Sequence, residues 1–309
     1  MHFKSFVTFS LFLLTGATLS LSAQARPLKE TLFSQGMPTA ETVDLWNKTP
    51  GTRNYRIAAG DPTTTDLEAL LKLQNADRLE IGVLRYPFPS ESAAWKKLAS
   101  RGAQINIIEG ILPSPEGLKF LDSLGFKKIL FVITGPQEPS FAAALETLHA
   151  EVALTYAGRA YPKYLDKDSW TAIPARVPLN IATDFWPGYT QMDLLNILSM
   201  PQTIRVRDMF PPDDTFPYLL NIKKLQWVTL DTDFDPWDQG AVWKKFGAMK
   251  VRWNRRGIVP SEDVLRAFAE SAPSELRSLV IDTENELSSE ERARLERLPI
   301  PVEWLHGTY

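Results

Sequence analysis

Five carboxylates stand just beyond short apolar stretches of this chain: Glu109, Asp184, Asp208, Asp233 and Glu284. If those stretches are the strands of a barrel, a pair of such groups could serve as acid and base in a hydrolase. Asp184 and Asp208 follow consecutive stretches and form the nearest pair. The densest acidic run is Asp231-Thr-Asp233-Phe-Asp235-Pro-Trp-Asp238. A helix–loop–helix calcium loop requires glycine at its sixth place and glutamate at its twelfth. Pro236 and Val242 stand there instead, which removes that reading. A smaller calcium site from Asp233, Asp235 and Asp238 stays open, and no metal ligand is assigned.

Other chemistries are poorly supplied. There is no cysteine, so thiolate nucleophiles, disulfides and cysteine-held metals are excluded. The histidines are His2, His149 and His306, without the spacing of a zinc site or a catalytic triad. No phosphate-binding glycine loop is present, and no cofactor is expected. With Lys+Arg 34 against Asp+Glu 37, the net charge of −3 gives no electrostatic basis for a nucleic-acid partner.

The elements that must position any site repeat along the chain. Short alternating stretches begin at Tyr55, Leu79, Ile105, Ile129, Val152, Leu179, Ile204, Val228, Met249, Leu279 and Val302. They recur about every 25 residues, the period of a stacked or ring-forming βα unit. Alternation with period two makes each a strand with one apolar face. Between them lie segments with helical start and stop signals. Thr65-Asp-Leu-Glu68 and Ser288-Ser-Glu-Glu291 have capping-box spacing, and Gly102, Gly125 and Gly247 stand at helix ends. Strand–helix units of this kind place their strands parallel.

The second face of these strands is polar: Glu80, Asn106, Asn180, Arg205, Arg207, Asp231, Lys250, Arg252, Asp282 and Glu303. An eight-stranded barrel is filled by side chains and has no room for such a set. An open concave sheet does, and opposite charges on neighbouring strands would pair sideways. Over residues 54–306 the period and the Leu-x-Ile strand cores resemble those of leucine-rich-repeat proteins. The resemblance implies an α/β fold: an open right-handed βα solenoid, a horseshoe of 10–11 repeats, parallel strands on its concave side and helices on its convex side. It also implies an interaction scaffold without a specific activity.

The domain organisation follows. Lys4, the apolar run Phe6–Leu21 and Ala23-Gln-Ala25 read as a signal peptide, residues 1–25, which predicts export to a bacterial periplasm or the exterior. Residues 26–53 read as an N-terminal cap and 54–309 as the solenoid domain. No other segment reaches membrane-spanning length, so stable membrane insertion is not expected.

Function is therefore expected to be binding, with no catalytic residue assigned. The partner would be an envelope or extracellular protein, a peptide or a glycan. The face expected to hold it comprises Asn180, Asp184, Arg205, Arg207, Asp231, Asp233, Lys250, Arg252 and Asp282. Loops after the strands are rich in aromatics and proline, and Trp186, Tyr189 and Trp237 join the face as a rim. The alternative is a secreted barrel-type glycan or phosphoester hydrolase using the strand-end carboxylates. Pairing between the first and last strands would separate ring from horseshoe.

Overall fold

The computed structural model describes residues 28–49, 53–74, 76–158, 160–238 and 240–308. The segment read as a signal peptide lies outside them. The strands are β1 Lys29–Ser34, β2 Arg53–Gly60, β3 Ala76–Val83, β4 Gln104–Gly110, β5 Lys128–Ile133 and β6 Glu151–Tyr156. They continue as β7 Leu179–Thr183, β8 Gln202–Arg207, β9 Leu225–Thr232, β10 Lys250–Arg256, β11 Arg277–Thr283 and β12 Val302–Thr308. Each pairs in parallel with its neighbours in the chain, and β1 also pairs with β12. The sheet is a closed barrel of twelve strands.

That closure corrects the open, leucine-rich-repeat-like horseshoe. The eleven expected strands all form, but a twelfth was missing from the count. Lys29–Ser34, expected in the leading cap, is the stave that joins the ends. Its Leu32 lies opposite Tyr55 on one side and His306 on the other. Across the seam the Thr31 hydroxyl donates to Glu303 Oε1 at 2.7 Å. Inward charge is compatible with closure, for a physical reason. Barrel width grows with strand number, so twelve strands enclose a lumen that eight would fill with side chains. Inward charges can then remain in contact with water.

The outward face is the apolar one. Ile81, Ile105, Ile129, Leu154, Ile181, Leu230 and Ile281 are fully buried beneath the outer helices. Each such side chain contributes about 1.5–3 kcal/mol of burial. Around β10 the packing is aromatic, with Trp243 4.9 Å from Trp253 and 4.8 Å from Phe268 between ring centres.

Local signals set the helices. Ser288 and Glu291 form a capping box, as their spacing predicts. The other expected box is shifted: Thr63 caps with Asp66, two residues ahead of the Thr65–Glu68 pair. Gly102 and Gly125 have φ of 84° and 78°, the left-handed conformation needed where a helix hands over to the next strand. Arginines tie one unit to another. Arg176 donates to the carbonyls of Leu145 and Leu148 at 2.8 and 3.0 Å. Arg277, fully buried, donates to Met249 O at 2.8 Å and to Trp243 O and Gly247 O at 3.3 Å. Such bonds satisfy carbonyls that a helix end leaves unpaired.

At the C-terminal end of the strands the chain turns by a repeated device. The hydroxyls of Thr183, Thr232 and Thr283 donate to the carbonyls of Phe185, Phe234 and Asn285 at 2.7, 3.0 and 2.8 Å. Trp253 and Trp304 brace two of these turns by donating Nε1–H to Thr232 and Thr283. The turns fix the direction in which residues leave the barrel mouth.

Candidate functional site: a charged chamber in the barrel

One cavity of about 430 Å³ is lined from nine strands, which can meet only around the barrel axis. Arg56, Glu80, Asn106 and Leu130 come from β2 to β5. Arg205, Arg207, Asp231, Arg252, Asn254 and Arg256 come from β8 to β10. Val280, Asp282, Glu303 and Leu305 come from β11 and β12. Five arginines face four carboxylates there. The chamber opens toward the strand C-termini into a smaller space of about 180 Å³, bounded by Ala157, Gly158, Ala182, Thr183 and Asp184 and sharing Arg205, Arg207 and Asp231. At that lip a Cβ on Gly158 would lie 2.0 Å from the Tyr156 hydroxyl oxygen, so a larger residue there would displace the Tyr156 ring.

The charges are unevenly paired. Arg56 Nε lies 2.8 Å from Glu80 Oε2, and Arg78 pairs with the other oxygen of Glu80. Burial alone would raise the Glu80 pKa, but Arg56 and Arg78 more than reverse that and hold the carboxyl below its ordinary range. Burial alone would lower the Arg56 value, and Glu80 raises it above normal. Asp231 is buried, takes Arg205 Nε at 2.5 Å on one oxygen, and accepts from Asn254 Nδ2 at 2.5 Å on the other. Asp208 leaves β8 with φ of 53°, a left-handed conformation costly outside glycine, and its carboxylate pairs with Arg256.

Arg207 and Arg252 differ from the rest. Among the described residues neither has a carboxylate in an ion pair or hydrogen bond. Arg252 lies over the face of Trp227, 5.7 Å from the ring centre. Its pKa is lowered, first by burial within the barrel; Glu303 opposes this, while Arg56, Arg205 and Arg78 add to it. The guanidinium stands in a field of like charge.

The sequence-derived face divides accordingly. Arg205, Arg207, Asp231, Arg252 and Asp282 meet in the chamber. Asp184 lines its mouth. Asn180 is on the same strand face and donates to Thr155 Oγ1 at 3.4 Å. Lys250 does not join them: it lies at the opposite end of the barrel, over the Trp227 ring. Asp233 is exposed on the rim. Trp186 is buried and belongs to the core, whereas Tyr189 and Trp237 are each 74% exposed. The expected charge ladder is only partly realised. Asp231 stands opposite Arg207 and Asn254, and Arg252 stands opposite Thr229 and Ser278. Arg252 therefore sits one rung from Asp231 and does not pair with it.

Arg56, Glu80, Asn106, Asn254, Arg256 and Glu303 line the chamber but were not in the assigned face. All occupy the polar positions of their strands. That alternation was the available signal, once the ring was known to bring distant strands together. The open calcium reading finds no support in the geometry. Asp235 is held by Arg255 at 3.0 Å, Asp238 accepts from the Gly240 amide at 3.1 Å, and no metal-binding group of three is found among the described residues. His149 and His306 bind Asp122 and Glu30 at 2.7 Å, away from the chamber.

Fold and site together define a closed, twelve-stranded parallel α/β barrel with an arginine-rich lumen. No family model matches the chain, and no curated protein or solved structure matches it.

Proposed function

We propose that this barrel is a binding protein for a small anionic solute, held in the chamber by Arg207 and Arg252. The observation that carries this reading is that those two carboxylate-free guanidinium groups line one open-mouthed chamber of about 430 Å³. Guanidinium forks match carboxylate and phosphate oxygens, and such charge-assisted bonds are about twice as strong as neutral ones. A concave chamber of this size favours a small ligand over a folded partner.

The pairing of the carboxylates supports binding over hydrolysis. A general acid needs a carboxyl kept protonated near neutral pH. Glu80 is displaced the other way, and Asp208, Asp231 and Glu303 are engaged by Arg256, Arg205 and Thr31.

Calorimetric titration with acetate and inorganic phosphate tests the reading. Binding is expected, with about a tenfold or greater loss in Arg252→Gln and in Arg207→Gln, as for the loss of a charge-assisted bond. Absence of binding by the unaltered protein, or affinity in either variant unchanged from that of the unaltered protein, would refute it.

A further inference from the structure

We infer that the solute is an acidic saccharide, its acid group on Arg207 and a sugar ring on the exposed face of Trp237. This rests on the anion reading above and adds the chemistry of the rest of the ligand.

The sequence has nine tryptophans, and Trp237 is the exposed one; the others are buried or half-buried. Its ring is nevertheless braced. Its edge meets Phe210 at 90° with centres 6.3 Å apart, and Phe210 is itself buried against Phe234 and Trp243 at 5.7 and 5.3 Å. A ring supported at its edge with an open face can serve as a stacking platform. Phe210 lies three residues beyond Arg207, so at most about 11 Å of chain separates the platform's support from the mouth arginine.

The polar groups of the mouth and rim select the ligand's edge. Asp233 is two residues beyond Asp231 at the head of the same turn, and Asp184 lines the mouth. Neither has an ion pair or hydrogen bond among the described residues. Ionised carboxylates only accept, so they match an edge made of donors. Sugar hydroxyls provide that edge around a ring with an apolar face. The adenine edge, a single amino donor beside ring-nitrogen acceptors, fits two carboxylates less well. The nearby guanidinium then calls for a negative group on the same molecule, a carboxylate or a phosphate.

The test compares glucuronate with acetate and glucose 6-phosphate with inorganic phosphate, with glucose and adenosine monophosphate as controls. At least one acid sugar is expected to bind about fivefold or more tighter than its bare acid, a gain of the size of one ring contact. Trp237→Ala is expected to remove that gain and leave acetate and phosphate affinity unchanged. The two sugars distinguish a carboxylate ligand from a phosphate ligand. Acid sugars binding no tighter than the bare anions, an unchanged gain in Trp237→Ala, or tighter binding of adenosine monophosphate would each overturn the inference and leave the anion reading standing. No binding of any anion would overturn both.

Discussion

Arg205 and Asp231 are bonded at 2.5 Å although they are not opposite one another. In the parallel register Arg205 faces Thr229, and Asp231 faces Arg207. The Arg205 guanidinium reaches one rung toward the mouth and takes the carboxylate that Arg207 would otherwise use. Arg207 is thereby left to a ligand. The same carboxylate also accepts from Asn254, so both of its oxygens are already engaged.

Asp231→Asn should therefore have two effects. Stability should fall by about 1–3 kcal/mol, because Arg205 loses its charged acceptor. Anion affinity should rise severalfold, because a further guanidinium becomes free in the chamber. Urea denaturation and phosphate titration of the same variant would show whether the two move in opposite directions.

The Glu80 carboxyl has a folded pKa below its ordinary 4.5. The unfolded chain thus binds the proton more readily than the folded one. The stabilisation is present in full above about pH 5 and is lost as pH falls through the folded value. Unfolding free energy measured from pH 6 to pH 3 should decline, and Glu80→Gln should decline less steeply over that window. Parallel slopes would contradict the assignment.

Arg277 supplies donors to the carbonyls of Trp243, Gly247, Met249 and Leu276 and to the Ser271 hydroxyl. Arg277→Met would leave these acceptors unsatisfied in the interior. A loss of about 2–4 kcal/mol is expected in the urea midpoint. Arg277→Lys should recover little, since an ammonium has three donors and no planar fork.

Ring closure can be tested chemically in this cysteine-free chain. Thr31 and Leu305 are register partners across the β1–β12 seam. Neighbouring strands lie about 4.8 Å apart, within the Cα separation a disulfide tolerates. The double variant Thr31→Cys, Leu305→Cys should oxidise to an intramolecular bond visible on non-reducing gels. Purely intermolecular products would mean that the ends of the sheet do not meet.

Much of the architecture was legible because it is local. Ile105-Asn-Ile107 or Ile204-Arg-Val206 declares a strand and the face it buries within three residues, since side chains alternate in any extended strand. The helix between them is announced by a cap such as Ser288 and by a left-handed glycine such as Gly102. Lys29–Ser34 made no such statement. Its one buried aliphatic, Leu32, is flanked by Glu30 and Ser34 on the same face, so its strand character comes from partners 23 and more residues away.

The site divides along the same line. The polar positions of each strand are written in the sequence, and Arg205, Arg207, Asp231 and Arg252 could be chosen from them. Whether they look onto a concave surface or into a lumen could not be chosen. The alternation of side chains by itself determined parallel strand–helix units with one apolar and one charged face. Closure into a ring of twelve, the register that separates Arg252 from Asp231, and the enclosure of the charged face were decided only in three dimensions. They depend on how many staves accumulate before the first and last meet, a property of the whole sheet that no single repeat carries.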